Sequence, residues 1–275
     1  MSLSEQDRFN RAWFGHPWAI DGLARQQGFT DEGERAAYWR LADEMRGRSI
    51  LDVGVGPGRT VTLLRSLSDD YVGIDYLQEM VQAARERHPF ADLRLGDARD
   101  LQDFPEGRFD LVVFSYSGID LVGREDRTRV LSEAWRVLEP GGTFWFSTLN
   151  LEGPAYRYRP WRPFAPRRPS RALGWLRYGV QRAQSFAPVP RRWRDYRRVV
   201  PLAQQGDGWA LAPFFGGEWR VLTHYVTLPR QLADLEEAGF AHGPEVFEDA
   251  RGRRVTPGED LHEVLAFNIL ARKPG

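Results

Sequence analysis

Residues 50–60 read ILDVGVGPGRT, a short apolar run that passes directly into glycines at positions 54, 56 and 58. Such a run followed by glycines indicates a buried strand and a tight turn, and a helical pattern begins near Thr60. Glycine has no Cβ, so a ligand can lie against the backbone of the turn and the first amides of the next helix. The stretch therefore predicts a site for a nucleotide-like ligand.

Four more apolar runs follow, with helical patterns between them. They are YVGID (71–75), DLRLG (92–96), FDLVVFSY (109–116) and TFWFS (143–147). Consecutive parallel strands need a crossover, usually a helix, so the alternation predicts a doubly wound α/β sheet with helices on both faces. Pro140, Gly141 and Gly142 are expected to stop the third helix at Leu138 and turn the chain into TFWFS.

The remaining segments divide the chain into four parts. We expect a helical cap at residues 1–47, a core at 48–150, an insertion at 151–220 and the C-terminal part of the core at 221–275. This last part reads as a helix ended by Gly239, a strand at 244–248 and a final strand within EVLAFNILARK (263–273).

Composition narrows the chemistry. The 275 residues include no cysteine and five scattered histidines, so we expect no metal site. The N-terminus is polar, and no run approaches the roughly 20 apolar residues of a membrane-spanning helix, so we expect a cytoplasmic protein.

Charge is unevenly distributed although the net charge is zero. Residues 151–220 hold 14 arginines against four acidic residues and are rich in aromatics, Trp161, Trp175, Trp193, Trp209 and Trp219 among them. Three interpretations stay open: a lid over an anionic or aromatic substrate, a contact with a membrane surface or nucleic acid, or a solvated face.

The glycine spacing limits the kind of nucleotide. Arg59 stands where a dinucleotide fingerprint needs glycine or alanine, which disfavours an oxidoreductase that binds NAD or a flavin. No Gly-Lys-Ser/Thr follows, which excludes a P-loop. Asp75, 21 positions after Gly54, ends the second strand and can accept ribose hydroxyls.

In order and spacing, DVGVGPGRT, YVGID, LGDARDL, FDLVVFSYS and LEPGGTFWFST resemble the motifs of class I S-adenosylmethionine-dependent methyltransferases, especially those acting on small molecules. The resemblance is close over residues 49–149 and looser over 222–274. It implies a Rossmann-like, mostly parallel seven-stranded sheet with an antiparallel last strand. It also implies S-adenosylmethionine as cofactor and S-adenosylhomocysteine as product. The fourth strand lacks the Asn-Pro-Pro-Tyr motif of many nucleic-acid and protein methylases.

The resemblance also implies site residues. The cofactor would contact the glycine turn and the ends of the first four strands: Asp52, Gly54, Gly56, Gly58, Asp75, Tyr76, Asp97, Ala98 and Ser115. Asp52 would lie near the methionine amino group, Asp75 at the ribose, and Asp97 with Ala98 at the adenine. His224 is the first candidate for a general base and Tyr116 the second. Trp13, Phe14 and Tyr38 either line the substrate mouth or pack in the core.

The expected reaction is methyl transfer to a nitrogen, oxygen or carbon nucleophile of a small molecule. A first alternative is methylation of RNA or a membrane-associated lipid gripped by the basic insertion. A second is a non-catalytic nucleotide-binding regulator on the same fold. The oligomeric state is left open.

Overall fold

The computed structural model describes residues 5–161, 187–256 and 258–275. Its main layer is a seven-stranded sheet in the order β3-β2-β1-β4-β5-β10-β9. The strands are β1 (Ile50–Val53), β2 (Tyr71–Asp75), β3 (Asp92–Leu95), β4 (Phe109–Phe114), β5 (Leu138–Leu149), β9 (Glu245–Glu248) and β10 (Ala266–Arg272).

The pairing confirms the predicted topology. Strands β1 to β5 pair in parallel, and β10 is antiparallel to both β5 and β9. The central strand β1 lies between β2 and β4, so the chain winds outward in both directions from it. A doubly wound sheet opens a crevice at the carboxyl ends of its strands at such a reversal, which is where ligands bind.

Helices cover both faces of the sheet, and alternate strand residues point to opposite faces. Leu51 and Val112 belong to one core cluster, whereas Ile50 and Leu111 belong to the other. The helices are α1 (Glu5–Phe14), α2 (Pro17–Ala24), α3 (Glu32–Leu41), α4 (Val61–Arg65), α5 (Gln78–Arg87), α6 (Arg124–Val137), α7 (Pro154–Arg157), α8 (Val189–Val199) and α9 (Leu228–Glu237).

Two element boundaries differ from expectation. The helical pattern at residues 5–47 forms three helices, with breaks at Gly15–His16 and around Gly28, whose φ is +69°. At the other boundary α6 ends at Val137 and β5 starts at Leu138, so Gly141 lies inside the long strand rather than before it. A φ of +82° at Gly141 accommodates the bend there.

A second, three-stranded sheet lies largely in the predicted insertion. It consists of β6 (Gln204–Gly206), β7 (Trp209–Pro213) and β8 (Leu222–Val226), all antiparallel. The predicted C-terminal part of the core therefore begins with a strand that pairs with the insertion. Residues 162–186 of the predicted insertion, including Trp175, lie outside the described residues. In the described part of the chain, no helix is both long and apolar enough to cross a membrane.

Candidate functional site

A cavity of about 650 Å³ opens at the carboxyl ends of the parallel strands. This volume lies within the range of about 300–1,000 Å³ that small-molecule sites occupy. Four groups of residues line it: the glycine turn, the ends of β2 to β5, helices α1 and α2, and the loop Phe214–Glu218 that precedes β8. The crevice predicted from the topology is therefore present and is roofed by segments outside the main sheet.

The glycine turn forms one wall of the cavity. Gly54, Gly56 and Gly58 all have positive φ, at +66°, +54° and +91°. A Cβ added at Gly54 would lie 2.6 Å from the Phe114 ring, whereas one added at Gly56 would meet no atom within 4 Å. Gly54 and Gly56 line the cavity and leave their backbone bare toward it. The turn is thus shaped to let a ligand lie against its backbone.

Asp75 ends β2 at the edge of the same cavity. Its carboxylate accepts hydrogen bonds from the backbone amides of Gly56 and Leu77, both at 2.9 Å. Burial raises the pKa of Asp75 to about 6, against the lowering effect of these two bonds. The carboxylate is held rigidly beside the turn, in the position from which the sequence predicts ribose binding.

The predicted adenine region lies beyond Asp75. Tyr76, Asp97 and Ala98 all line the cavity. Arg99 fixes Asp97 with bonds of 2.9 Å and 2.7 Å to its two carboxylate oxygens, and the pKa of Asp97 is lowered despite partial burial. The guanidinium of Arg11, from α1, lies 4.5 Å from the centre of the Tyr76 ring.

Asp52 does not line the cavity. Its carboxylate lies beneath the glycine turn, where Oδ2 accepts hydrogen bonds from the Thr60 hydroxyl at 2.6 Å and the Tyr71 hydroxyl at 2.8 Å. Burial raises the pKa of Asp52 to about 6. Asp52 therefore supports the turn from below, and its place near the methionine amino group stays a prediction. Gly58 is also not exposed to the cavity, since its Cα faces the ring of His88.

Arg59 links the turn to the N-terminal cap. Its guanidinium donates to both oxygens of Glu34, at 2.8 Å and 2.7 Å, and both side chains are buried. It also donates to the carbonyl of Gly28 and the hydroxyl of Ser115, each at 2.8 Å. In the sequence, Arg59 served only to exclude a dinucleotide site. No pattern in the sequence identified Glu34 as the partner of Arg59. The pair places Ser115 at the cavity wall.

The end of β4 is conformationally unusual. Tyr116 and Ser117 both have a φ of +55°, in the left-handed region that non-glycine residues seldom adopt. The turn leaves Tyr116 half exposed in the cavity, with its hydroxyl 3.2 Å from the Gln26 amide nitrogen. Backbone strain of this kind clusters at ligand sites.

Aromatic side chains dominate the part of the cavity away from the glycine turn. They come from α1 and α2 and from the loop before β8, and they are Trp13, Phe14, Trp18, Phe214 and Phe215. Trp13 packs edge to face against both Phe14 and Trp18, at 4.7 Å and 4.9 Å between ring centres. Trp13 and Phe14 thus lie where the sequence allowed a substrate mouth. Tyr38 is instead buried in the core, with its hydroxyl 2.9 Å from that of Ser66.

His224 does not reach the cavity, contrary to its predicted role as a base. Successive residues of a strand point to opposite sides, and Thr223 is the neighbour that lines the cavity. The imidazole of His224 is fully buried and stacks on Trp209, with 5.6 Å between ring centres. Burial and the nearby Arg127 and Arg124 lower its pKa to about 2. An imidazole that is fully buried and does not line the cavity is not placed to accept a proton from a substrate there.

Comparisons with known proteins show what the chain is similar to. Residues 50–142 match the family model of a methyltransferase domain. A probable S-adenosylmethionine-dependent methyltransferase of Mycolicibacterium smegmatis is 34% identical over 131 residues, which cover 48% of this chain and 49% of that protein. A ubiquinone biosynthesis O-methyltransferase of Methylococcus capsulatus is 32% identical over 126 residues, covering 44% and 52%. The chain spans about half the length of these curated relatives.

A solved structure extends the likeness to the whole chain. The 1,6-didemethyltoxoflavin-N1-methyltransferase of Burkholderia thailandensis, bound to 1,6-didemethyltoxoflavin and S-adenosylhomocysteine, matches with a TM-score of 0.59. The match covers 100% of this chain and 93% of that one at 14% identity. At this identity the likeness shows a shared fold.

Proposed function

We propose that the chain, whose residues 50–142 match the family model of a methyltransferase domain, is a class I S-adenosylmethionine-dependent methyltransferase that methylates an aromatic small molecule. The cofactor would be held by the glycine turn, Asp75, Tyr76 and the Asp97–Ala98 pair, which together line one end of the cavity. The bare backbone at Gly56 and the buried carboxylate of Asp75 fit such a ligand. When bound, S-adenosylmethionine supplies an electrophilic methyl group on a good leaving group.

The residues of this chain then have two tasks, alignment and exclusion of water. The strained turn at Tyr116 and Ser117 presents polar groups to the middle of the cavity. Trp13, Phe14, Trp18, Phe214 and Phe215 supply apolar walls of the cavity. An acceptor that lies between these walls is held beside the cofactor end with little room for bulk water.

The cavity's aromatic lining carries the proposal for the acceptor. Flat rings stack or pack edge to face on aromatic side chains, and such pairs contribute about 0.5–1.5 kcal/mol each beyond burial of area. Both arginines that line the cavity in the described chain are already engaged: Arg59 by Glu34, and Arg99 by Asp7, Asp97 and Asp126. This favours an aromatic acceptor without negative charge over an anionic one.

Tyr116 is the remaining candidate for a general base. Its hydroxyl lies in the cavity and contacts the Gln26 amide. A base is needed only when the nucleophile must lose a proton, and general-base catalysis contributes typically about 10²–10⁴-fold. For a phenolic acceptor we expect Tyr116→Phe to lower kcat by about 10²–10⁴-fold. The same substitution should leave the affinity for S-adenosylhomocysteine unchanged.

The test is to find the product. The protein is incubated with methyl-labelled S-adenosylmethionine and with separate small-molecule, RNA and lipid fractions of a cell extract, with Asp75→Ala as the control. We expect label in uncharged aromatic compounds of the small-molecule fraction and none with Asp75→Ala. Label in RNA or lipid would refute the proposed acceptor class. S-adenosylhomocysteine binding without label in any fraction would favour the non-catalytic regulator.

A matched pair of ligands tests the charge preference separately. In the presence of S-adenosylhomocysteine, 4-hydroxybenzamide should raise the melting temperature more than 4-hydroxybenzoate, because the two differ chiefly in the negative charge. A larger shift with 4-hydroxybenzoate would show that the cavity accepts an anion.

A further inference from the structure

Helix α8 presents a basic and aromatic side to solvent. Five of its eleven residues are arginines, and its one acidic residue, Asp195, is buried. At about 100° per residue, Asp195 and Val199 share the side that faces the small sheet. Trp193, Arg194, Arg197 and Arg198 are all exposed. Together with Trp161, these four residues are called the α8 outer face below.

The two tryptophans of this face are large and solvent-exposed. Trp193 is 42% exposed and Trp161 is 47% exposed. Their rings meet edge to face with 5.4 Å between centres, and Trp193 also stacks on Tyr196. A contiguous exposed aromatic cluster rimmed by charge marks an interaction surface rather than an incidental exposed residue.

Among the described residues, the three arginines of the face have one carboxylate within ion-pair distance, and another arginine shares it. Arg194 has Asp195 at 3.6 Å, but that carboxylate already accepts a 2.8 Å hydrogen bond from Arg220. No carboxylate in the described residues lies within ion-pair distance of Arg197 or Arg198. The net positive charge therefore calls for an anionic partner.

We propose that the α8 outer face docks on an anionic lipid surface, with the helix lying in the interface plane. Helices that bind this way combine basic residues with tryptophan, whose ring sits at the headgroup level while the arginine stems reach outward. Single-stranded RNA would instead need open ring faces in a basic groove. Here one face of Trp193 is already stacked on Tyr196, and the arginines lie on a single short convex helix.

Helix α8 contacts a loop that lines the cavity. Arg191 of α8 forms a 3.0 Å ion pair with Glu218, which ends the loop that lines the aromatic part of the cavity. The inference does not depend on the identity of the methyl acceptor, because it rests only on the exposed groups of α8 and Trp161.

Sedimentation with vesicles tests the inference. The full chain is mixed with vesicles of phosphatidylcholine alone and of phosphatidylcholine with phosphatidylserine. We expect binding only to the mixed vesicles. The triple substitution Arg194→Gln, Arg197→Gln, Arg198→Gln should weaken this binding by about 100-fold, because each arginine near an anionic surface contributes favourably to the binding free energy. Trp193→Ala should weaken it further.

The matched control substitutes Arg8, Arg35 and Arg46, which are 64%, 52% and 65% exposed on other surfaces, to glutamine. This variant has the same net charge as the triple variant and should bind like the unmodified chain. An unchanged thermal shift with S-adenosylhomocysteine verifies that each variant is folded. An equal loss of vesicle binding in the triple variant and in the control would show that binding depends on net charge alone, and this would overturn the proposal. Binding to oligouridine RNA without vesicle binding would overturn it as well.

Discussion

Replacement of Arg59 by methionine should strongly destabilise the protein while preserving side-chain volume. Arg59 and Glu34 are both buried and joined by two hydrogen bonds of 2.7 Å and 2.8 Å. In Arg59→Met, the Glu34 carboxylate would keep only its bonds from the amide and hydroxyl of Thr30. A buried carboxylate that loses its counter-charge costs about 3–5 kcal/mol. For a chain of this size the melting temperature should fall by about 6–20 °C.

The magnitude can be separated from a packing defect by a double-mutant cycle. Glu34→Gln combined with Arg59→Met removes both charges, so the double variant should be more stable than Arg59→Met alone, with a coupling energy of at least about 2 kcal/mol. Urea unfolding measures each free energy. The control is Arg46→Met, whose partner Asp43 is exposed, and it should cost less than about 0.5 kcal/mol. Additive single effects, or a loss below about 1 kcal/mol in Arg59→Met, would refute the reasoning.

Three further results are expected. Because Asp75 has a pKa of about 6 and must be ionised to accept two ribose hydroxyls, the affinity for S-adenosylhomocysteine measured by calorimetry should fall about tenfold from pH 7 to pH 5. Asp75→Asn should bind S-adenosylhomocysteine more weakly at pH 7 and abolish the dependence of this affinity on pH. A pH dependence that persists in Asp75→Asn would assign the titration to another group. His224→Phe should leave the rate of methyl transfer within about twofold of the unmodified rate. It should also raise the free energy of unfolding, because it removes two buried ring nitrogens that have no hydrogen-bond partner in the described chain. A large loss of kcat would restore His224 to the mechanism. Gly58→Ala should lower the free energy of unfolding by about 1–3 kcal/mol, because its Cβ would lie 2.5 Å from the His88 ring at a φ of +91°. The control Gly141→Ala has a similar φ but no close neighbour, so it should lower that free energy less. Equal losses in thermal unfolding would show that φ alone decides the cost.

The order of elements could be predicted from sequence because periodicity reports burial. The apolar runs of β1 and β4 have both faces covered, and both strands are almost entirely buried. The boundary at β5 was missed for a related reason. Pro140 and Gly141 usually end an element, but here they bend a strand that has already begun at Leu138.

The site could be predicted only in part, because motifs fix the backbone better than the direction of side chains. Asp75 ends one parallel strand and Asp97 follows the next, and both line the cavity. In β8 an error of one residue exchanges Thr223, which lines the cavity, for His224, which does not, and sequence alone does not set the register of this strand. The Arg59–Glu34 pair also escaped prediction. In the sequence Glu34 indicates only the start of a helix, where its carboxylate accepts a hydrogen bond from the backbone amide of Thr30.

The two segments that enclose the aromatic part of the cavity are joined to each other. Asn10 of α1 is buried and donates to the carbonyls of Leu121 and Leu222, at 2.8 Å and 3.0 Å, while its oxygen accepts from the Leu222 amide at 3.1 Å. Separating α1 from the small sheet would break the two bonds to Leu222, at about 1 kcal/mol or more each. The same helix contacts Tyr76 at the cofactor end through Arg11. Helix α1 therefore links the cofactor end of the cavity to the sheet that follows the loop Phe214–Glu218.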